Sequence, residues 1–134
     1  FVTGARTLGP NVFYDCVATR THADIGSHHR WSVGTLYDHV RTDGRMSVQD
    51  RGNSGTGHGW TGVTQVFWNC QVQDAVVQDP WVNGNNYCIG LEGKKWAGHF
   101  PDRPDGIWEG QNTAGLQPAS LYLAQRAARQ PQGK

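Results

Sequence analysis

The segments Ser27-His28-His29-Arg30-Trp31 and Gly57-His58-Gly59-Trp60 gather imidazoles, a guanidinium and indoles into two short stretches. Imidazole titrates near neutrality, so it can take or give a proton there. Arginine offers a planar fork that matches a carboxylate. Tryptophan offers a broad apolar face and one N–H. A sugar polymer needs this mixture, because its rings want flat faces and its hydroxyls and carboxylates want donors. Elimination across a uronate also needs a cation to neutralise the carboxylate, a base for the C5 proton and an acid for the leaving oxygen. We read His28, His29, Arg30 and His58 as candidate catalytic residues. Trp31, Arg51, Trp60 and Trp81 are the candidate substrate-binding residues. Arg30 or Arg51 would neutralise, one of the three histidines would be the base, and Tyr37 or a second histidine the acid.

Each of these residues has a plainer use. Adjacent His28 and His29 cannot both face one side of a strand, so one of them is expected to be structural. His58 lies between two glycines and would fill a turn, while Trp31 and Trp60 precede strands and would plug corners. Paired carboxylates are the rival chemistry, since glycoside hydrolysis uses two of them. Asp24, Asp50 and Asp79 recur beside the same loops, either as such a pair or as turn residues. The same row would suit Ca²⁺, a cation of oxygen ligands. No EF-hand or RTX motif supports a calcium site, and no metal site is assigned.

An internal repeat must hold these loops together. Val12-Phe13-Tyr14-Asp15-Cys16, Thr35-Leu36-Tyr37-Asp38-His39 and Val66-Phe67-Trp68-Asn69-Cys70 share one pattern: apolar, aromatic, Asp or Asn, then Cys or His. His39 in this alignment replaces a buried cysteine. Asp15, Asp38 and Asn69 form either an inward ladder or the turn that ends each strand. A second element follows each copy, at His22-Ala23-Asp24, Val48-Gln49-Asp50 and Val77-Gln78-Asp79. Irregular loops come next, from Ile25 to Trp31, Arg51 to Trp60 and Pro80 to Asn86, and new strands start at Ser32, Thr61 and Tyr87. A period of roughly 20 to 30 residues with variable loops at one corner predicts an all-β, right-handed parallel β-helix of about four rungs. Residues 1–93 would be the rungs, and 94–117 an irregular loop or last rung. Residues 118–134 would be a short helix after the N-cap Ser120, covering the open end, with a disordered tail over 130–134.

Composition narrows the function classes. The 134 residues include 18 Gly and 6 Trp, which suits a loop-rich β protein. Lys plus Arg is 12 and Asp plus Glu 11, so the net charge of +1 makes no footprint for nucleic acid. The apolar runs are too short for a membrane span. Cys16, Cys70 and Cys88 form neither a paired framework nor a CxxC motif, and are read as buried small hydrophobes. No serine-elbow, phosphate-loop, dinucleotide or HExxH motif is present.

The runs Phe1-Val2-Thr3-Gly4, Gly9-Pro10-Asn11-Val12-Phe13, Ser27-His28-His29-Arg30-Trp31, Gly57-His58-Gly59-Trp60 and Gln65-Val66-Phe67-Trp68-Asn69-Cys70, with Ser120-Leu121-Tyr122-Leu123-Ala124-Gln125, resemble microbial parallel β-helix proteins of the pectate-lyase-like superfamily. The resemblance implies a secreted or cell-surface protein with a polysaccharide as partner. It leaves the activity open between lyase, glycoside hydrolase and a non-catalytic binding or structural solenoid. The start at Phe1 suggests processing or excision, with earlier rungs missing. Open strand edges there would favour association with upstream rungs or another chain.

Overall fold

A computed structural model describes residues 1–131. The chain begins with β1 (Val2–Thr3) and then runs through β2 (Leu8–Tyr14), β3 (Val17–Ala18) and β4 (Ile25–Ser27). A second pass contains β5 (Ser32–Asp38), β6 (Arg41–Thr42) and β7 (Arg45–Val48). The third contains β8 (Gly62–Val63), β9 (Val66–Trp68) and β10 (Gln71–Val77), and the fourth β11 (Tyr87–Ile89) and β12 (Glu92–Lys95). Strand β13 (Ile107–Glu109) and helix α1 (Leu121–Arg129) follow.

Two sheets collect these strands, and the pairings between them are parallel. One has the order β13-β11-β9-β5-β2, with β8 also on β5. The other runs β1-β4-β7-β10-β6-β3, with β12 on β10. Parallel pairing in register places like positions roughly 4.8 Å apart, so each strand position becomes a column of side chains.

The inward columns make the core. Phe13, Tyr37, Phe67, Cys88 and Trp108 are successive partners. Phe13 stacks on Tyr37 at 5.2 Å, and Phe67 meets Tyr37 edge-on at 5.2 Å. Ile25, Met46 and Ala75 form a second buried column, and Val48 pairs with Val77 in a third. Cys70 and Cys88 are buried free thiols, and burial raises both of their pKa values, which keeps them protonated.

The aromatic stack corrects the expected alignment by one residue in the second copy. Tyr37 is level with Phe13, and Asp38 with Tyr14 and Trp68. The corner residues are therefore Asp15, His39 and Asn69, with φ of 51°, 57° and 47°, and Asp38 is not among them. Gly90 and Gly110 continue the series at 71° and 65°. Each corner N–H donates to the next pass: Asp15 to the Asp38 carbonyl at 2.9 Å, His39 to Trp68 at 2.9 Å and Asn69 to Ile89 at 2.8 Å. Asn and Asp tolerate this left-handed backbone better than most residues, which accounts for their recurrence. His39 is only half-buried, and Val40, fully buried, takes the place expected for it between the cysteines.

Asp38 has a different task. Its Oδ2 accepts from the Ser120 hydroxyl at 2.7 Å and from the Tyr122 N–H at 2.7 Å. Ser120 caps α1, accepting from the Leu123 N–H at 3.1 Å. The Trp68 indole donates to the Pro118 carbonyl at 2.8 Å, and Tyr14 packs on Tyr122 at 5.4 Å. These contacts come from three successive passes, so α1 lies along the side of the β2/β5/β9 sheet. The sequence predicts a helix that covers an open end of the rungs; α1 packs on the side of the sheet instead. The segment 94–117 also contains regular structure: β12 crosses its start, and β13 adds a parallel strand to β11. The expected disorder of 130–134 falls largely on residues outside the described ones.

Candidate functional site

The corner after β4 and the corner after β7 meet in space. Residues Ile25–Ser27 belong to strand β4 and not to the loop, so the loop proper begins at His28. Gly26 shows why β4 lies so close to β7: a Cβ there would sit 2.0 Å from the Ser47 carbonyl oxygen. Across the corner, the Arg30 N–H donates to the His58 carbonyl at 3.1 Å. The 51–59 loop closes on itself, with Arg51 N–H to the Gly59 carbonyl at 2.8 Å and Gly59 N–H to the Gly52 carbonyl at 2.9 Å. Gly59, at φ +58°, turns the chain between His58 and Trp60.

These constraints bring His28, His29 and His58 into a triangle, each pair of ring centroids 5.0 Å apart. Arg51 Nη1 lies 2.9 Å from His28 Nδ1 and 3.1 Å from the His28 carbonyl oxygen. A guanidinium only donates, so His28 Nδ1 accepts and its proton resides on Nε2. Burial first, then the Arg51 and His29 charges, lowers the His28 pKa, with Asp24 opposing. Burial, then Arg51, His28, His29 and Arg30, lowers that of His58. The His58 Nδ1 and Arg51 Nε atoms are buried without a hydrogen-bond partner. Among the described residues, no group of three or more His, Cys, Asp or Glu is arranged to hold a metal ion.

Arg30 is exposed beside the triangle, its Cδ 3.8 Å from where a Cβ on Gly59 would lie. Trp31 is half-buried at the entry to β5. Trp60 meets Trp81 edge-on at 5.7 Å, and Trp81 is 67% exposed. The Arg103 guanidinium lies 5.0 Å from the Trp81 ring and pairs with Asp50 at 3.0 Å. Tyr37 is fully buried in the aromatic column, and burial raises its pKa, so it is no proton donor to a ligand. That removes it from the expected acid role.

The expected row of Asp24, Asp50 and Asp79 is not a row. Val48 pairs with Val77, which sets Asp50 level with Asp79 two residues on. Ile25 pairs with Met46, so Asp24 is level with Arg45 instead. Asp50 accepts from the Gly52 N–H at 2.8 Å and Asp79 from the Asn86 N–H at 2.6 Å, both as turn-forming residues. The register thus takes Asp24 out of the expected row and leaves Asp50 and Asp79 level on neighbouring passes, each engaged in its own turn.

Sequence reasoning missed the column that Asp24 does join. Asp24, Arg45, Asp74 and Lys94 follow one another along the second sheet. Arg45 forms a forked pair with Asp74, one arm at 3.1 Å, and lies 3.6 Å over the Trp96 ring. A polar cavity of about 360 Å³ opens here, lined in part by Asp24, Arg45, Asp74, Trp96 and His99. Arg51 also lines it, and so joins this groove to the triangle. The alternation of charge along the column was the available signal, but only the correct register displays it.

Two neutral imidazoles with lowered pKa values make stability pH-dependent. The unfolded chain then binds more protons than the native one below the ordinary histidine pKa of about 6.5, so stability rises with pH there. The thermal midpoint is expected to fall between pH 7 and pH 5, and less so in the His28→Gln/His58→Gln variant. Identical pH slopes for the two proteins would show that these histidines titrate normally.

No protein-family model, curated protein or solved structure matches the chain.

Proposed function

We propose that this chain is a right-handed parallel β-helix, secreted or displayed on a cell surface, which binds an acidic polysaccharide at the histidine triangle. The helical reading is supported by two parallel sheets that the chain revisits in the same order on each pass. The observation that carries the site is the convergence of three imidazoles, pairwise 5.0 Å apart, one of which, His28, is held by the Arg51 guanidinium. This cluster offers donors and positive charge, which suits a carboxylate or another oxyanion. The adjoining groove would hold neighbouring sugar units.

The reaction that fits is β-elimination. Arg51 or Arg30 neutralises the uronate carboxylate. A base removes the C5 proton, the electrons of that bond form the C4=C5 double bond, and the C4–O bond breaks. The leaving oxygen then takes a proton. His28 presents Nε2–H and cannot be the base through Nδ1, because Arg51 holds that lone pair. His29 and His58 are the candidate bases; the imidazolium formed on either returns its proton to the leaving oxygen, and His28 Nε2–H offers a hydrogen bond to the substrate. Non-catalytic binding is the second reading, favoured by the buried Nδ1 of His58, which leaves that ring one accessible nitrogen at most.

Polygalacturonate, alginate and a neutral glucan distinguish these readings. Both acidic polymers, or one of them, should bind and yield unsaturated uronate ends, and His29→Gln or His58→Gln should abolish the product. Binding with no product from any polymer would leave the non-catalytic reading. Equal affinity for the neutral glucan would sink the acidic assignment. Affinity should increase as pH falls below about 6.5, because a bound anion favours protonated imidazoles.

A further inference from the structure

We infer that the cavity between α1 and the β2/β5/β9 sheet is a second binding site, independent of the histidine cluster, for an aliphatic carboxylate. The outward column Val12, Leu36 and Val66 forms its floor, each residue paired with the next across the parallel sheet. Leu121 closes it from the helix side. The cavity measures about 610 Å³, the size of a small-molecule site.

Two features show that the helix does not fill this space. None of its residues is buried, and Val12 on the floor remains 41% exposed. Its first turn is nevertheless fixed by Asp38, and the preceding segment by Trp68 and Asn69. The helix is thus held at its N-terminal end over an apolar floor that it leaves open. Contiguous apolar surface of this kind is costly in water and marks binding sites.

Charge selects the occupant. Arg126 and Arg129 line the cavity, and among the described residues no Asp or Glu does. They are three residues apart, hence neighbours on one helix face. Among the described residues neither forms a salt bridge. An occupant must therefore be apolar along the floor and negative at the helix end. A single alkyl chain ending in a carboxylate meets both demands, with the chain on Val12, Leu36 and Val66 and the carboxylate between the two guanidinium groups.

Calorimetric titration with decanoate, below its micelle-forming concentration, tests the assignment. One equivalent should bind to the intact chain, and acetate should not. Arg126→Gln/Arg129→Gln should weaken decanoate by about tenfold or more, the loss expected for a charge-assisted pair. These two side chains face solvent, so the variant should keep its unfolding midpoint, which is measured alongside. Val66→Trp, which fills the cavity, should abolish binding in a chain that still shows cooperative unfolding. Failure of decanoate to bind, or equal binding by the arginine double variant, would overturn the proposal. Glycan binding is untouched by either outcome, since the two sites share no residue.

Discussion

Phe67→Ala is expected to lower the unfolding free energy by about 3–5 kcal/mol, the loss that goes with truncating a fully buried aromatic side chain. Phe67 is 1% exposed and sits in the middle of the inward column, paired with Tyr37 on one side and Cys88 on the other. Its truncation removes transfer energy, leaves a void between two passes and breaks the edge-on contact with Tyr37. The neighbours are themselves held by parallel ladders, so collapse into the void is restricted. Trp81→Ala is the control: a larger ring is removed, but it is 67% exposed. Its loss should cost under about 1 kcal/mol, from the contacts with Trp60 and Arg103. Urea denaturation of the two variants gives both numbers. A Phe67→Ala cost similar to that of Trp81→Ala would mean that the aromatic column does not bear on folding.

Arg51→Met should have the largest effect on the site. Methionine keeps much of the aliphatic stem but donates nothing to His28 Nδ1. With the guanidinium gone, one cause lowering the pKa of both His28 and His58 disappears. Both imidazoles should titrate at higher pH than in the parent and still below the ordinary value, because burial lowers each of them more than the Arg51 charge does. Resonance-resolved titration of the ring protons measures this directly. If polyuronate binds as proposed, its affinity should fall by about tenfold to several hundredfold, the range for truncating one partner of a partly desolvated charge pair. Unchanged histidine titrations would contradict the Arg51–His28 bond. Normal glycan affinity alongside shifted titrations would instead place the sugar elsewhere.

These two variants probe different levels of the molecule. Phe67 tests the column that sets the register, and Arg51 tests a contact which that register makes. The corner geometry links them: a slip of one residue would turn Tyr37 outward and Asp38 inward. Asp38 would then lose Ser120 and Tyr122, and the helix its anchor. Such coupling explains why Asp38 is fully buried although it belongs to the outward series with Tyr14 and Trp68.

What the sequence determined by itself was the kind of elements and the grouping of the chemistry. Short β-branched and aromatic runs between Gly, Asn and Asp corners specify strands that cannot bury a face alone. The Ser120 cap before Leu121-Tyr122-Leu123-Ala124 specifies a helix, because the unpaired N–H groups of a first turn need a side-chain oxygen. The two histidine-bearing corners were also legible, since equivalent loops of a repeat must lie near each other. Tertiary structure decided the register. Asp15 and Asp38 look equivalent in the sequence, but side-chain type does not reveal which residue takes a left-handed φ. Stacking of Tyr37 between Phe13 and Phe67 resolves that choice, and it depends on volumes contributed by three separate passes. The same register moved Asp24 away from Asp50 and into a column with Arg45 and Asp74. It also gave Arg51 to His28, a pairing between residues 23 apart that no local pattern encodes.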